Sequence, residues 1–365
     1  MAYKVSSDRT LFIVTSILTI FGLIMVYSAS SAVAASKYGS DSYFFVRQLI
    51  YAGVGFLCMI LLMNVDYHLW QKEKLLKGML ALSVVGLLLV FTQPKLNGAH
   101  RWLRAGSLSF QPSELAKLVV LFFMAAYLQK HEQEIGRNWK KLVAPGLIIL
   151  VFAGLIEREP DLGQAVCIAF IAAMLLFIAG MNWRVILSGA LLCIPAFYFF
   201  VVREPFRWKR FVAFLNPFQD PLGSGYHISQ SLIAIGSGGL WGIGMGGSKQ
   251  KLFFLPEAHS DFIFAVIGEE LGLLGTALLL TGFAFFFYRG MRITFKAPDR
   301  FGFYLGLGIT LIIALQAFIN ISMVLAMMPT KGIALPFISQ GGSSLLFNLA
   351  ATGVLLNISH YAESI

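Results

Sequence analysis

Apolar runs of roughly membrane-spanning length alternate with short polar segments along almost the whole chain. A spanning helix needs about 20 predominantly apolar residues, and charged residues mark where each run ends. The pattern predicts ten spans, at 10–31, 44–64, 78–93, 112–128, 143–157, 164–180, 185–202, 261–288, 301–326 and 343–359. We therefore predict an all-α integral membrane protein with ten transmembrane helices, forming a single domain over residues 1–365.

One polar segment is much longer than the others. Residues 203–260 separate the seventh and eighth predicted spans and are rich in Gly, Ser, Pro and aromatic residues. Loops beyond about 15 residues are usually functional or disordered. The aromatic content and the apolar stretch at 228–235 argue against disorder. We expect this segment to form an ordered extracytoplasmic loop between helices 7 and 8.

Composition agrees with this class of protein. Of the 365 residues, 58% are hydrophobic and only 13% are charged, whereas a soluble domain has about 45–50% apolar and 25% charged residues. A water-soluble enzyme is therefore excluded. The loops that face inwards when the N-terminus is cytoplasmic carry more Lys and Arg, once residues 203–260 are set aside. The positive-inside rule thus predicts cytoplasmic termini.

The outer loops nevertheless remain basic. Clustered cations there suggest an anionic partner such as a phosphate or pyrophosphate, and the alternative is contact with anionic lipid headgroups. The three cysteines lie in apolar runs, and the chain has no CxxC, no HExxH and no nucleotide-binding glycine motif. We therefore expect no cofactor or metal site built into the chain.

An acidic residue stands where the long loop meets the eighth span. Asp261 is placed to act as a general base or as a cation ligand, and the alternative is a charge that complements the helix dipole. Glu257 and His259 belong to the same segment. A helix N-terminus and nearby cations should lower the pKa of Asp261 and weaken it as a base.

The start of the fourth span carries a second candidate group. Glu114 and Lys117 are three residues apart, so they share a helix face and can pair within the membrane, either as a structural bridge or along a substrate channel. Arg101 and Trp102 precede them and offer a guanidinium beside an aromatic ring, which suits a phosphate and a sugar. The alternative for Trp102 is the interfacial aromatic belt.

Two further segments bear polar groups near the spans. Residues 329–344 contain prolines, glycines and Lys331, and irregular backbone at membrane depth must be buried in protein or line a cavity. Its N–H groups and Lys331 could bind an anion. At Glu269 and Glu270 we expect at least one carboxylate to face a cavity or a partner such as Lys117.

Together these segments resemble the SEDS family of shape, elongation, division and sporulation proteins (FtsW, RodA and SpoVE). The resemblance covers nearly the whole chain and rests on NGAHRW, FQPSELAK, EPDLGQA, QSLIAIGSGGLWG, QKLFFLPEAHSDFIFAVIGEELG and PTKGIALPFISQGGSS, in that order. The PEAHSDF form and the last segment look more like FtsW than RodA. Two departures are small: Ser260 stands where Thr is commoner, and Gln340 where Tyr is common.

The resemblance implies a peptidoglycan glycosyltransferase that polymerises lipid II on the outer face of the bacterial plasma membrane, at the division septum. It implies that Asp261 is the catalytic acidic residue and that Trp102, Glu114 and Lys117 are important. It also implies a class B penicillin-binding transpeptidase and other division membrane proteins as partners, and no nucleic acid.

A mechanism follows as a hypothesis. Asp261 removes or orients the proton of the acceptor sugar hydroxyl, which attacks the donor anomeric carbon. Arg101, Arg210, Lys331 or a divalent cation (Mg²⁺ or Mn²⁺, with Asp261 as a possible ligand) neutralises the departing pyrophosphate. Glu257, His259 and Ser343 complete the candidate substrate-binding residues.

Three other functions are compatible with parts of this pattern. A lipid II flippase would use the same cationic, aromatic bundle, but transporters carry broken helices or repeats at mid-membrane. A non-catalytic scaffold of the division machinery would tolerate substitution of the loop charges. Another polyprenyl-pyrophosphate-using transferase would need His259 or His227 as its catalytic histidine.

Overall fold

The computed structural model describes residues 7–94, 99–105 and 108–362, with only the backbone described at 105 and 108. Twelve α-helices lie in these ranges. They are α1 (Arg9–Tyr38), α2 (Tyr43–Asn64), α3 (Glu73–Leu89), α4 (Pro112–Ile135), α5 (Val143–Arg158), α6 (Leu162–Ile178), α7 (Trp183–Phe197), α8 (Pro205–Leu215), α9 (Tyr226–Gly238), α10 (Ile263–Phe295), α11 (Arg300–Val324) and α12 (Gly342–Tyr361).

Each predicted span coincides with one of these helices. Within the described ranges nine helices are long and apolar enough to cross a membrane: α1 to α5, α7 and α10 to α12, some with a short helical extension. The helix α6 is apolar but has only 17 residues. The predicted all-helical architecture is therefore confirmed.

Three helices form the interior of the bundle. Most of α4, α11 and α12 is buried, whereas α7 has no buried residue. The helix α11 packs against α4 and α10, and α12 packs against α2. Polar side chains such as Lys117, Asn320 and Asn357 are buried on these inner helices. Buried polar groups at membrane depth must find partners inside the protein.

A short β-hairpin that the sequence pattern did not predict precedes α4. The strands β1 (Leu103–Ala105) and β2 (Leu108–Phe110) pair antiparallel, with Leu103 opposite Phe110. The hydroxyl of Tyr51 on α2 donates to the carbonyl of Ser109 (2.7 Å) and accepts from its N–H (2.9 Å). Pro112 then starts α4, where its missing N–H costs nothing. The hairpin places Arg101 and Trp102 at the end of the inner bundle.

The segment 203–260 contains the helices α8 and α9. The helix α9 packs against α10 and α11. Ser231 on α9 donates to the carbonyl of Val324 at the end of α11 (2.7 Å), and the ring of His227 stacks on that of Phe262 with centroids 5.8 Å apart. The segment is thereby joined to the same end of the bundle as the hairpin.

The helix α10 is broken at Gly272, which has φ 66° and ψ −162°. The freed backbone groups on both sides of the break exchange hydrogen bonds with residues 239–247, the glycine-rich turn. These N–H to carbonyl bonds run from Leu273 to Gly239, Leu274 to Leu240, Ile243 to Glu269 and Gly244 to Glu270, at 2.9–3.2 Å. The four backbone groups of α10 in these bonds, two N–H and two carbonyl groups, are therefore all paired despite the break. Within a membrane, backbone polar groups must be satisfied by the protein itself.

The carboxylates beside the break hold the chain that precedes Asp261. Glu269 accepts from the N–H of Lys249 (2.9 Å) and from the hydroxyl of Ser248. Glu270 pairs with Lys251 (2.7 Å) and accepts from Ser28 on α1. The expected partner Lys117 is thus wrong for Glu270, because the loop supplies a nearer buried lysine.

Candidate active site

Asp261 lies two residues before α10, at the end of a series of turns. Its side chain is partly exposed, while Phe262 and Ile263 immediately after it are buried. The chain therefore presents one carboxylate at the surface of the inner bundle. The backbone around it is anchored by the hydrophobic residues that follow.

Three successive carbonyl groups that end at Asp261 are each held by a donor from the last third of the chain. The carbonyl of His259 accepts from the N–H of Gln340 (3.0 Å). The carbonyl of Ser260 accepts from the hydroxyl of Ser339 (2.6 Å), and that of Asp261 from the side-chain amide of Asn320 (2.9 Å). This backbone is fixed to α11 and to residues 329–341, the pre-α12 segment.

Arg101 lies beside the carboxylate of Asp261. A Cβ atom placed on Gly332 would lie 3.2 Å from Asp261 Oδ2 and 3.8 Å from Arg101 Nη1, so the two side chains flank this glycine. Arg101 is itself held by the acidic turn, because it donates to the carbonyls of Glu159 (3.2 Å) and Pro160. A substrate group that reached Gly332 would meet one anion and one cation.

Two further cations belong to the chain around Gly332 and Asp261. Arg210 of α8 is exposed, and its guanidinium lies 4.3 Å from the ring centroid of Phe206. Partial desolvation of the guanidinium, then the positive charge of Arg101, lowers the pKa of Arg210, and the negative charge of Asp261 opposes this. Lys331 is half-buried next to Gly332, and burial lowers its pKa. The structure thus brings Arg101 and Arg210 towards Asp261, and Lys331 lies next to Gly332 in the chain.

Two buried acids of the turn between α5 and α6 complete the charge pattern. Glu159 is fully buried, and its carboxylate oxygens have no hydrogen-bond partner in the described part of the chain. Burial, with the charge of Asp161, raises the pKa of Glu159 to about 8. Asp161 lies 3.8 Å from Arg101 Nε, and burial raises its pKa also.

The pKa of Asp261 differs from the expectation. Burial, followed by the negative charges of Glu257 and Asp161, raises it to about 7, against the opposing effect of Arg101 and Arg210. The prediction of a lowered pKa is wrong, because desolvation outweighs the nearby cations. A carboxyl group with a pKa near 7 is far better suited to accept a proton than an ordinary aspartate.

The predicted pair on α4 is present. Glu114 Oε2 lies 2.8 Å from Lys117 Nζ, and both side chains are buried. The other oxygen of Glu114 accepts from the amide of Gln164 on α6 (3.0 Å), whose backbone N–H donates to Asp161 (3.2 Å). This chain of contacts connects the ion pair to the acidic turn beside Arg101.

The remaining predicted site residues lie at different depths. Trp102 is half-buried next to Arg101, and Glu257 is exposed and accepts from Ser260 (3.0 Å). His259 is buried, with its ring centroid 4.6 Å from that of Phe44, and burial lowers its pKa. Substrate contact by each of these residues stays a prediction.

Ser343 is used inside the protein. It is 1% exposed, accepts from the N–H of Gln111 (3.0 Å) and donates to the carbonyl of Ser109 (3.2 Å). These bonds attach the hairpin to α12. In this geometry Ser343 positions the hairpin, and contact with substrate stays a prediction.

Among the described residues, no group of three or more His, Cys, Asp or Glu side chains could hold a metal ion. A divalent cation at Asp261 stays a prediction. Asn97 and Gly98 of the first motif lie outside the described residues.

Sequence reasoning missed three residues of the site. Asn320 and Ser339 hold the backbone at Asp261, and Glu159 is the fully buried acid beside Arg101. Asn320 carried a usable signal, because a polar side chain within an apolar spanning run is costly and needs a partner. Ser339 and the burial of Glu159 had no comparable signal.

Comparisons with known proteins agree with this geometry. The family model of the FtsW/RodA/SpoVE cell cycle proteins matches residues 8–364. The chain belongs to this family. Its FtsW/RodA/SpoVE fold is therefore shared over almost its full length.

Individual relatives give the same picture. The chain is 41% identical over 356 residues to the "Probable peptidoglycan glycosyltransferase FtsW" of Geobacter sp. (strain M18), which covers 96% of each chain. It is 42% identical over 362 residues to the stage V sporulation protein E of Bacillus subtilis (strain 168), which covers 99% of each.

A solved structure of a peptidoglycan synthase complex, described as coordinating polymerization and crosslinking, contains a similar chain. The TM-score is 0.80 at 28% identity, and the match covers 97% of this chain and 98% of that chain. The family fold is thus supported by both sequence and structure.

Proposed function

We propose that this chain is a peptidoglycan glycosyltransferase that polymerises lipid II, with Asp261 as its catalytic base. The observation that carries the proposal is a single carboxyl group with a pKa near 7 that lies close to Arg101 and Arg210. Three successive backbone carbonyls that end at Asp261 are each held by a hydrogen-bond donor. Relatives named as peptidoglycan glycosyltransferases match over nearly the full chain. The lipid substrate is a sugar-bearing polyprenyl pyrophosphate. Its reaction needs a base for the acceptor hydroxyl and cations for the departing pyrophosphate.

In the proposed reaction Asp261 accepts the proton of the acceptor sugar hydroxyl as that oxygen attacks the donor anomeric carbon. A glycosidic C–O bond forms and the bond from the anomeric carbon to the pyrophosphate oxygen breaks. The leaving group carries its negative charge, so Arg101, Arg210 and Lys331 stabilise it electrostatically. A divalent cation, if bound, would add to that neutralisation.

We also propose that α6 is a span, which brings the total to ten and puts both termini on one side. The distribution of Lys and Arg supports cytoplasmic termini. Asp261, the hairpin, α8 and α9 would then lie at the outer face of the plasma membrane. This is where a lipid-linked disaccharide would meet the growing glycan.

A class B penicillin-binding transpeptidase is the proposed partner, together with other division membrane proteins at the septum. The similar chain in the peptidoglycan synthase complex supports a partner that crosslinks what this chain polymerises. The FtsW name of several relatives supports the septal role. The similarity to the sporulation protein is of equal size, so a sporulation septum is the second setting.

Replacement of the proposed base tests the function directly. We expect Asp261→Ala to reduce lipid II polymerisation by the purified protein, with its transpeptidase partner, about 10²-fold or more. Glu204→Ala, which removes an exposed carboxylate from the segment before α8, serves as the matched control. Polymerisation by Asp261→Ala at the wild-type rate would overturn the assignment, and headgroup translocation without chain formation would favour a flippase.

A further inference from the structure

A single buried amide ties together the two backbone segments that form the candidate site. Asn320 lies on α11 and is completely buried. Its side-chain nitrogen donates to the carbonyl of Asp261 (2.9 Å) and to the carbonyl of Ile333 (2.8 Å). Both hydrogens of the amide are therefore used.

The two carbonyls belong to segments that are far apart in sequence. One is the end of the long segment, with Asp261, and the other is the pre-α12 segment, with Lys331 and Gly332 just before Ile333. Because Gly332 is flanked by Asp261 and Arg101, the amide fixes the distance between the base and the cationic side of the site.

The orientation of this amide is determined by its surroundings. The carbonyl oxygen of Asn320 is buried and has no hydrogen-bond partner in the described ranges. If the amide were flipped, that oxygen would face two backbone carbonyl oxygens, and a buried, unpaired acceptor is already unfavourable. A hydrocarbon side chain at this position would avoid the cost of the unpaired oxygen. An asparagine is therefore explained by the two hydrogen bonds that its amide nitrogen donates to the carbonyls of Asp261 and Ile333.

We propose that Asn320 is the positioning residue of the reaction, which holds Asp261 against the Lys331–Ile333 backbone so that the carboxylate meets the acceptor hydroxyl. Asn320 touches no reacting atom and acts through Asp261. The proposal rests on the proposed function of Asp261. A displacement of about 1 Å can cost about 10²-fold in rate, so loosening this tie should affect turnover more than lipid II binding.

The chain contains a matched control at the other end of the bundle. Asn357 on α12 is also completely buried and also bridges two backbone groups, because it donates to the carbonyl of Met63 (2.7 Å) and accepts from the N–H of Tyr67 (2.8 Å). Its replacement removes two comparable hydrogen bonds away from the candidate site. A purely structural role for Asn320 predicts that the two asparagines behave alike.

The experiment compares Asn320→Leu with Asn357→Leu in full-length protein with its partner. We expect similar losses of thermal stability, but a fall in kcat of about 10- to 100-fold only for Asn320→Leu, with KM for lipid II nearly unchanged. The acid limb of its pH–rate profile should move to lower pH, because a loosened Asp261 becomes more exposed to water and loses part of the desolvation that raises its pKa.

Two results would overturn the proposal: wild-type kcat and pH profile in Asn320→Leu, or an equal loss of kcat in Asn357→Leu. If Asn320→Leu does not fold, Asn320→Ser keeps one donor and should give an intermediate kcat; wild-type turnover there would also overturn it. Asp261→Ala in the same assay distinguishes failure of the proposed function from failure of the proposal for Asn320. Full activity of Asp261→Ala would contradict the catalytic role of Asp261, whereas it would not contradict the hydrogen bonds by which Asn320 joins the two segments.

Discussion

At the scale of single residues, the candidate site depends on competition between burial and charge. Arg101 and Arg210 act to lower the pKa of Asp261, yet burial and the neighbouring acids raise it to about 7. At neutral pH such a group exists in both protonation states in comparable amounts. It can therefore take up a proton in the reaction and release it to water afterwards.

This balance predicts how the rate depends on pH. Only ionised Asp261 can act as a base, so kcat/KM should rise as the pH increases through about 7. In Arg101→Gln a cation that lowers this pKa is removed. The midpoint of the rise should therefore move to higher pH, in addition to any loss of rate from weaker pyrophosphate stabilisation.

The measurement is kcat/KM for lipid II between pH 5 and 9 (a range chosen to span about two units either side of the midpoint). Arg203→Gln, which removes an exposed guanidinium at the start of residues 203–260, is the control and should leave the midpoint in place. An unchanged or lower midpoint in Arg101→Gln would contradict the assigned electrostatics.

At the scale of elements, the break in α10 is defined by one glycine. Gly272 has a positive φ, and a Cβ atom there would lie 2.4 Å from the N of Gly242 and 2.6 Å from the carbonyl oxygen of Leu240. These are backbone atoms of the glycine-rich turn, so they cannot move aside without loss of the exchanged hydrogen bonds.

We therefore expect Gly272→Ala to destabilise the protein by at least about 1–3 kcal/mol, the usual cost of a strained backbone conformation. Gly154→Ala on α5 is the matched control, because a Cβ atom there meets no atom within 4 Å. Thermal unfolding in detergent measures both. Equal midpoints for Gly272→Ala and Gly154→Ala would contradict the strain assigned to a side chain at Gly272.

Features that depend on residues close together in sequence could be predicted, whereas features that depend on tertiary contacts could not. The spans and the Glu114–Lys117 pair were predictable, because hydropathy and a three-residue spacing are local. The hairpin was missed because three-residue strands carry no periodicity. The partner of Glu270 was wrong, and the raised pKa of Asp261 was not foreseen, because each depends on tertiary burial that the sequence does not display.

At the scale of the whole molecule, the candidate site is built from parts of the chain that are distant in sequence. The residues just before the hairpin supply Arg101, the turn between α5 and α6 supplies Glu159 and Asp161, and α8 supplies Arg210. Residues 320–341 supply the donors that hold Asp261. All of them converge at one end of the bundle, so the orientation of the bundle decides which side of the membrane the chemistry faces.

That orientation is open to a labelling test. With Cys58, Cys167 and Cys193 replaced by Ala, we introduce Leu222→Cys, at a side chain that is 88% exposed. A membrane-impermeant maleimide should label it in intact cells. Arg137→Cys, in the exposed loop after α4, should be labelled only after permeabilisation. The reverse pattern would place the candidate site in the cytoplasm.

The exchange of hydrogen bonds around Gly272 also bears on how the protein is assembled during synthesis. Its partners come from one neighbourhood of the chain, 239–274, so the exchange can close as soon as that stretch has left the ribosome. Asn320 and Ser339 are translated later. We expect the nascent protein to form the broken helix α10 first. Asp261 should be oriented only when α11 and α12 insert, so an incomplete chain should stay inactive.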